Sequence, residues 1–122
     1  MTQHDVVLRW IEQIALVVRR ILFGPGKPDL VLARQHVEDA TRQLLGPLAT
    51  LVPRLEVASA VELLHDPERI QALALLLDLE ADLAAAQGDE LAAARLRTRA
   101  AAFRQAASAS SLQIPGSPGG AS

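Results

Sequence analysis

Asp78, Glu80 and Asp82 place three carboxylates within five residues. Asp78 and Asp82 stand one helical turn apart, the spacing of a carboxylate pair that holds a metal ion from one helix face. Sites of that kind in helical bundles draw carboxylates from several helices, together with Glu-x-x-His motifs, and a pair on one helix supplies only part of the set. Folding the chain back about Gly88 brings Asp78 opposite Arg99 and Asp82 opposite Arg95. The pair therefore reads as a solvated ion-pair seam, worth ~0–1 kcal/mol per bridge. His4, His36 and His65 are the three imidazoles, and their spacing does not suggest joint ligation. His65 ends a short helix, where the carbonyl end of the dipole favours positive charge. The serines gather near the C-terminus, away from any histidine, so no nucleophile–base pair is suggested. Gly24-Pro-Gly-Lys27 lacks the full glycine spacing and the Lys-Ser/Thr ending of a phosphate loop and reads as a linker. Arg95 and Arg99 share one shoulder of the last helix, Arg97 and Arg104 the other, with carboxylates at hand for one of them. No catalytic, cofactor-binding or metal-binding residue emerges, and the chain reads as a non-enzyme.

Bulk composition narrows the classes further. At 122 residues the chain is long enough for one core and too short for two. Hydrophobic residues make up 50% and aromatics 2%, Trp10, Phe23 and Phe103 being the three, so the core is aliphatic. Alanine and leucine favour helices and give strands little to work with. A net charge of −2 supplies no strong pull towards nucleic acid or an anionic membrane. With no cysteine, disulfides and thiolate metal sites are excluded. The apolar runs 14–18 and 72–77 are far short of the roughly 20 residues that cross a bilayer. Asp5, Arg9 and Glu12 interrupt the start where a signal peptide needs an unbroken apolar stretch. The expectation is a cytoplasmic protein.

The elements that position these side chains are organised around residues 67–87. At 3.6 residues per turn this stretch shows two apolar faces. Ile70, Leu73, Ala74, Leu77, Ala81 and Ala84 fall on one, and Leu75, Leu76, Leu79, Leu83 and Ala86 on the other. Polar seams, Gln71/Asp78/Asp82 and Arg69/Glu80/Gln87, run between them. Either face left in water is a large exposed patch, so the helix must lie between two layers. Asp66-Pro67 caps and opens it. Gly88 takes the left-handed position after it, and Asp89 caps the next helix.

Around this centre the chain reads as all-α. A first helix spans 5–23, with Val7, Ile11, Val18 and Leu22 on one edge of a wide apolar face and Trp10, Ile14, Val17 and Ile21 on the other. A second helix opens at Pro28-Asp29, carries the stripe Leu30, Ala33, Val37, Ala40, Thr41 and Leu44, and stops at Gly46-Pro47. Pro53 prevents a long helix through 47–58, which leaves one short turn and an irregular connection. Ser59-Ala-Val-Glu62 matches a capping box for a short helix over 60–65. The final helix spans about 90–109 on the stripe Ala92, Ala93, Leu96, Ala100, Phe103 and Ala107. Residues 1–109 thus make a single helical domain, and 110–122, rich in Ser, Gly and Pro, a disordered tail.

The last two helices resemble half of a known pattern. Ala81, Gly88, Ala93 and Ala100 stand at the spacing of the small residues in a tetratricopeptide repeat. Ala84 and Arg97 replace residues that are usually aromatic, Gln105 stands where the closing proline falls, and no second copy follows at a period of about 34 residues. The likeness implies one tetratricopeptide-like hairpin. The region 5–105 also resembles a family of small, uncharacterised bacterial helical proteins. The resemblance rests on Asp5-Val-Val-Leu-Arg-Trp-Ile-Glu-Gln-Ile14, Leu44-Leu45-Gly46 and Gly88-Asp89. It implies a fold of packed helical hairpins and a bacterial source, and carries no functional residue over.

The first helix with its wide face and the central helix with two present more apolar surface than five elements readily cover. Either residues 47–58 fold over the excess, or a partner or second copy does. The candidate interface is Trp10, Ile14, Val17 and Ile21 with Leu75, Leu76, Leu79 and Leu83. The expected function is a non-catalytic interaction or scaffolding module, self-associating as a dimer, with no cofactor, no nucleic acid and no membrane insertion. A helical binder of a small apolar ligand held between the layers is the alternative.

Overall fold

A computed structural model describes residues 3–112, with side chains described over 6–109. Five helices follow one another: α1 (Gln3–Phe23), α2 (Leu30–Leu45), α3 (Val57–Leu64), α4 (Pro67–Ala86) and α5 (Glu90–Leu112). Two short 3-10 turns, Gly46–Ala49 and Val52–Arg54, lie between α2 and α3. No strand occurs among the described residues. The α1–α2 pair and α5 both pack on α4, while α3 sits against α5 and α4. The two-faced sequence of α4 is thereby explained: Ile70, Ala72, Leu73, Ala74, Leu76, Leu77, Leu79, Ala81, Leu83 and Ala84 are all buried. Phe103, Ile11, Leu45, Ile70, Leu76, Leu79 and Val18 are the largest side chains fully out of water. No polar or charged residue is buried among the described ones. Alanines do much of the close packing. Ala81, Ala84 and Ala93 form their own small cluster near the α4–α5 turn, where side chains this short let two helix backbones approach.

Chain punctuation explains most element ends. Asp29 caps α2 by accepting from the Leu32 N–H at 3.0 Å, so the helix starts at Leu30 and Pro28 stays outside it. Asp66 caps α4 by accepting from the Glu68 N–H, with Pro67 in the first turn. At the other end of α4, Gly88 has φ +86°, a region that costs residues with a Cβ about 1–2 kcal/mol. The Gly88 N–H donates to the Ala85 carbonyl and the Asp89 N–H to the Ala84 carbonyl, a doubly bonded helix end. Asp89 then accepts from the Ala92 N–H at 3.0 Å and starts α5.

Three expectations need correction. The short helix begins at Val57 with Glu56 as its N-cap, without a side-chain capping bond, so Ser59 caps nothing. Starting earlier completes the stripe Val57, Ala60, Val61, Leu64, whose members are buried or pack on the core, and apolar burial outweighs one capping bond. The connection after α2 holds two turns where one was expected, and Val52 in the second is buried. Finally, α5 runs on to Leu112, past the expected boundary at 109, and the rest of the expected tail, 113–122, lies outside the described residues.

Candidate functional site

The carboxylate seam of α4 pairs as an ion-pair seam, but on the other shoulder of α5 from the one expected. Asp78 bonds Arg104, and Asp82 accepts from Arg97 Nη2 at 3.4 Å. Arg19 of α1 also reaches Asp82, with Nε at 3.4 Å, so one carboxylate links three helices. The cause is side-chain direction. Side chains tilt towards the N-terminus of their own helix, so in an antiparallel pair a long arginine reaches back towards the turn. Its partner then lies further along the chain than a simple fold about Gly88 suggests. Arg99, freed from that seam, donates Nη2 to the Val52 carbonyl at 3.0 Å and lays its guanidinium over Phe103, 5.0 Å from the ring centre. Arg95 is exposed.

Arginine also closes a helix end that sequence reasoning missed. Arg69, expected only as part of a polar seam, donates Nε and Nη2 to the Leu44 carbonyl at 3.1 and 2.9 Å. The same Nη2 lies 3.4 Å from the Leu45 carbonyl. A helix end carries carbonyls without intrahelical partners and a partial negative charge, so a cation from the neighbouring helix fits there. The unsatisfied end is visible at Gly46-Pro47, but the partner that meets it comes from another helix.

His36 is partly buried on α2, His65 is exposed, and the side chain of His4 lies outside the described residues. Glu62 and His65 have Glu-x-x-His spacing but are both exposed at the end of α3. Among the described residues, no three His, Asp or Glu side chains come together to hold a metal ion. His65 has φ +70° and ψ −40°, and the Asp66 N–H donates to the Leu64 carbonyl at 2.7 Å across it. This is a three-residue turn of the strained hand. It brings the Asp66 cap directly behind α3.

Glu80 sits apart from Asp78 and Asp82, on the side of α4 facing α2 and α5. Burial pushes its carboxyl above the ordinary value of 4.5; Arg34 and Arg99 oppose that rise and Glu38 adds to it. It lines two adjoining clefts. The inner one, about 170 Å³, has an apolar floor of Leu45, Val52, Leu73, Leu77, Leu96 and Phe103. The outer one, about 370 Å³, is bordered by Arg34, Glu38, Arg42 and Thr50. Thr41, Pro53 and Glu80 belong to both.

The expected interface residues divide. Leu76, Leu79 and Leu83 are inside the chain, at 4% exposure or less, and Leu75 is partly buried against the core. Trp10, Ile14 and Ile21 keep part of their surface, and Val17 is 45% exposed. Further large apolar side chains stand in water on α1 and α2: Val6, Leu16 and Phe23 on the first, Val31 and Leu32 on the second. No described helix is long and apolar enough to cross a membrane. Comparison with family models, curated proteins and solved structures gives no match.

Proposed function

We propose that this protein is a non-catalytic helical interaction module that pairs with a second copy of itself through the outer face of α1 and the adjoining edge of α2. One observation carries the reading. Six of the nine large hydrophobic side chains exposed among the described residues lie on these two helices. Trp10, Ile14, Val17 and Ile21 are spaced four, three and four apart, the seam spacing of paired helices. Leu76, Leu79 and Leu83 already serve the core, so α1 and α2 supply the free apolar surface. A two-fold pairing buries the same strip on both copies. The α4–α5 hairpin enters this reading as a single tetratricopeptide-like unit, on Ala81, Gly88, Ala93 and Ala100, that braces the interaction surface from behind. A cytoplasmic setting and kinship with the small bacterial helical family complete the proposal.

Multi-angle light scattering at micromolar concentration tests it. The expected result is a species of twice the chain mass that dissociates on dilution. A single species at 13.0 kDa, unchanged on concentration, overturns self-association.

A further inference from the structure

We propose that the cleft enclosed by α2, the two 3-10 turns, α4 and α5 binds a small primary amine that carries an apolar group about the size of benzene, with the ammonium held by Glu80. The site is distinct from the α1–α2 surface and does not rest on self-association.

Size and lining come first. The inner cleft of about 170 Å³ is floored by Leu45, Leu73, Leu77 and Phe103, and an apolar cavity of roughly 150 Å³ is large enough for benzene. Glu80 lines both this apolar space and the wider adjoining cleft that carries Arg34, Glu38 and Arg42. A ligand seated on the floor therefore meets a carboxyl at its outer end.

The carboxyl is available. Ionised, it is an acceptor only, and among the described residues no hydrogen bond is made to it. Three neighbouring donors are committed elsewhere: the Thr41 hydroxyl donates to the Val37 carbonyl at 2.8 Å, Arg99 to the Val52 carbonyl, and Arg42 to Asp39. Arg34 and Arg99 act on Glu80 through space. An ammonium brings three donors to an acceptor that receives none, in a cleft where Arg34 and Arg99 already supply positive charge at longer range. A carboxylate of the same shape brings no donor to Glu80, and neither does a hydrocarbon. Pockets of this kind, apolar with few convergent polar groups, are the usual form of small-molecule sites.

The test uses the full chain and phenethylamine, with phenylacetate and ethylbenzene as matched anion and hydrocarbon. Binding is followed by calorimetry and by amide shifts, for the native chain and for Glu80→Gln. The native chain is expected to bind phenethylamine saturably at millimolar concentration or below, with shifts confined to the cleft. Phenylacetate and ethylbenzene should bind more weakly, and Glu80→Gln should lose about tenfold in affinity for the amine. Circular dichroism on the variant confirms that it is folded. No saturable binding of phenethylamine, equal affinity in Glu80→Gln, or tighter binding of either analogue overturns the proposal. Light scattering on the same samples reports self-association separately, so either reading can fail alone.

Discussion

The fold raises the pKa of Glu80, and desolvation is the main reason. A carboxyl whose folded pKa lies above its unfolded value binds its proton more tightly when folded. Its contribution to stability is then full below the ordinary 4.5 and is lost as pH rises through the raised value. Glutamine keeps the shape and has nearly the same helix propensity without the charge. Glu80→Gln should therefore melt at a higher temperature than the native chain at pH 7, and the gain should vanish as pH falls below the ordinary value. Thermal melts between pH 7 and pH 4 check this, and a variant less stable at neutral pH would sink it. The same substitution removes the proposed amine site. Weaker binding by a more stable protein cannot then be blamed on unfolding. Arg69 and Arg99 show a different use of charge: each satisfies a backbone carbonyl where regular structure breaks, after α2 and at Val52.

Among the elements, α4 carries the fold because it is apolar on two sides and every other helix touches it except through the short connections. Leu79 is fully buried in it, and Leu79→Ala should cost about 2–5 kcal/mol through lost burial and the cavity left behind. Urea denaturation would show this as a lower midpoint, and an unchanged midpoint would mean that this face is not core. The two faces, the Asp66-Pro67 start and the Gly88-Asp89 end were legible in the sequence because each depends on residues within a turn or two. Features decided by distant partners were not. Ser59-Ala-Val-Glu62 is a sound local capping signal, yet α3 starts earlier because Val57 finds the core. Arg97 and Arg104 were as well placed as Arg95 and Arg99 on a helical wheel, and only the direction of side chains across an antiparallel pair separates the two shoulders. Glu80 read as one member of a polar seam; its desolvation comes from α2, α5 and the connection closing over it.

Across the whole fold, α1 is the helix left incompletely covered. Its inner face is satisfied: Ile11, Ala15, Val18 and Leu22 are buried. The next edge, Trp10, Ile14, Val17 and Ile21, is only partly covered by α2, whose stripe of Ala33, Val37, Ala40 and Leu44 is too narrow to span it. The connection between α2 and α3 does fold over the core, with Leu48, Ala49 and Leu55 packed on it, but it lies beside α2 and leaves the outer edge of α1 in water. Val17 is the most exposed member of that edge, so Val17→Lys is the sharpest probe. In the isolated chain it should change stability by no more than about 0.5 kcal/mol, since a lysine there stays in solvent. In a two-fold pair Val17 has only its exposed 45% left to bury, so a loss of about 0.7 kcal/mol of side-chain burial is felt twice. That is about tenfold in dissociation constant. Leu91→Lys, at an exposed site on α5 far along the chain from this edge, should leave association unchanged. Sedimentation across a concentration series compares the three proteins. If Val17→Lys and Leu91→Lys associate alike, the α1 edge is not the contact between copies.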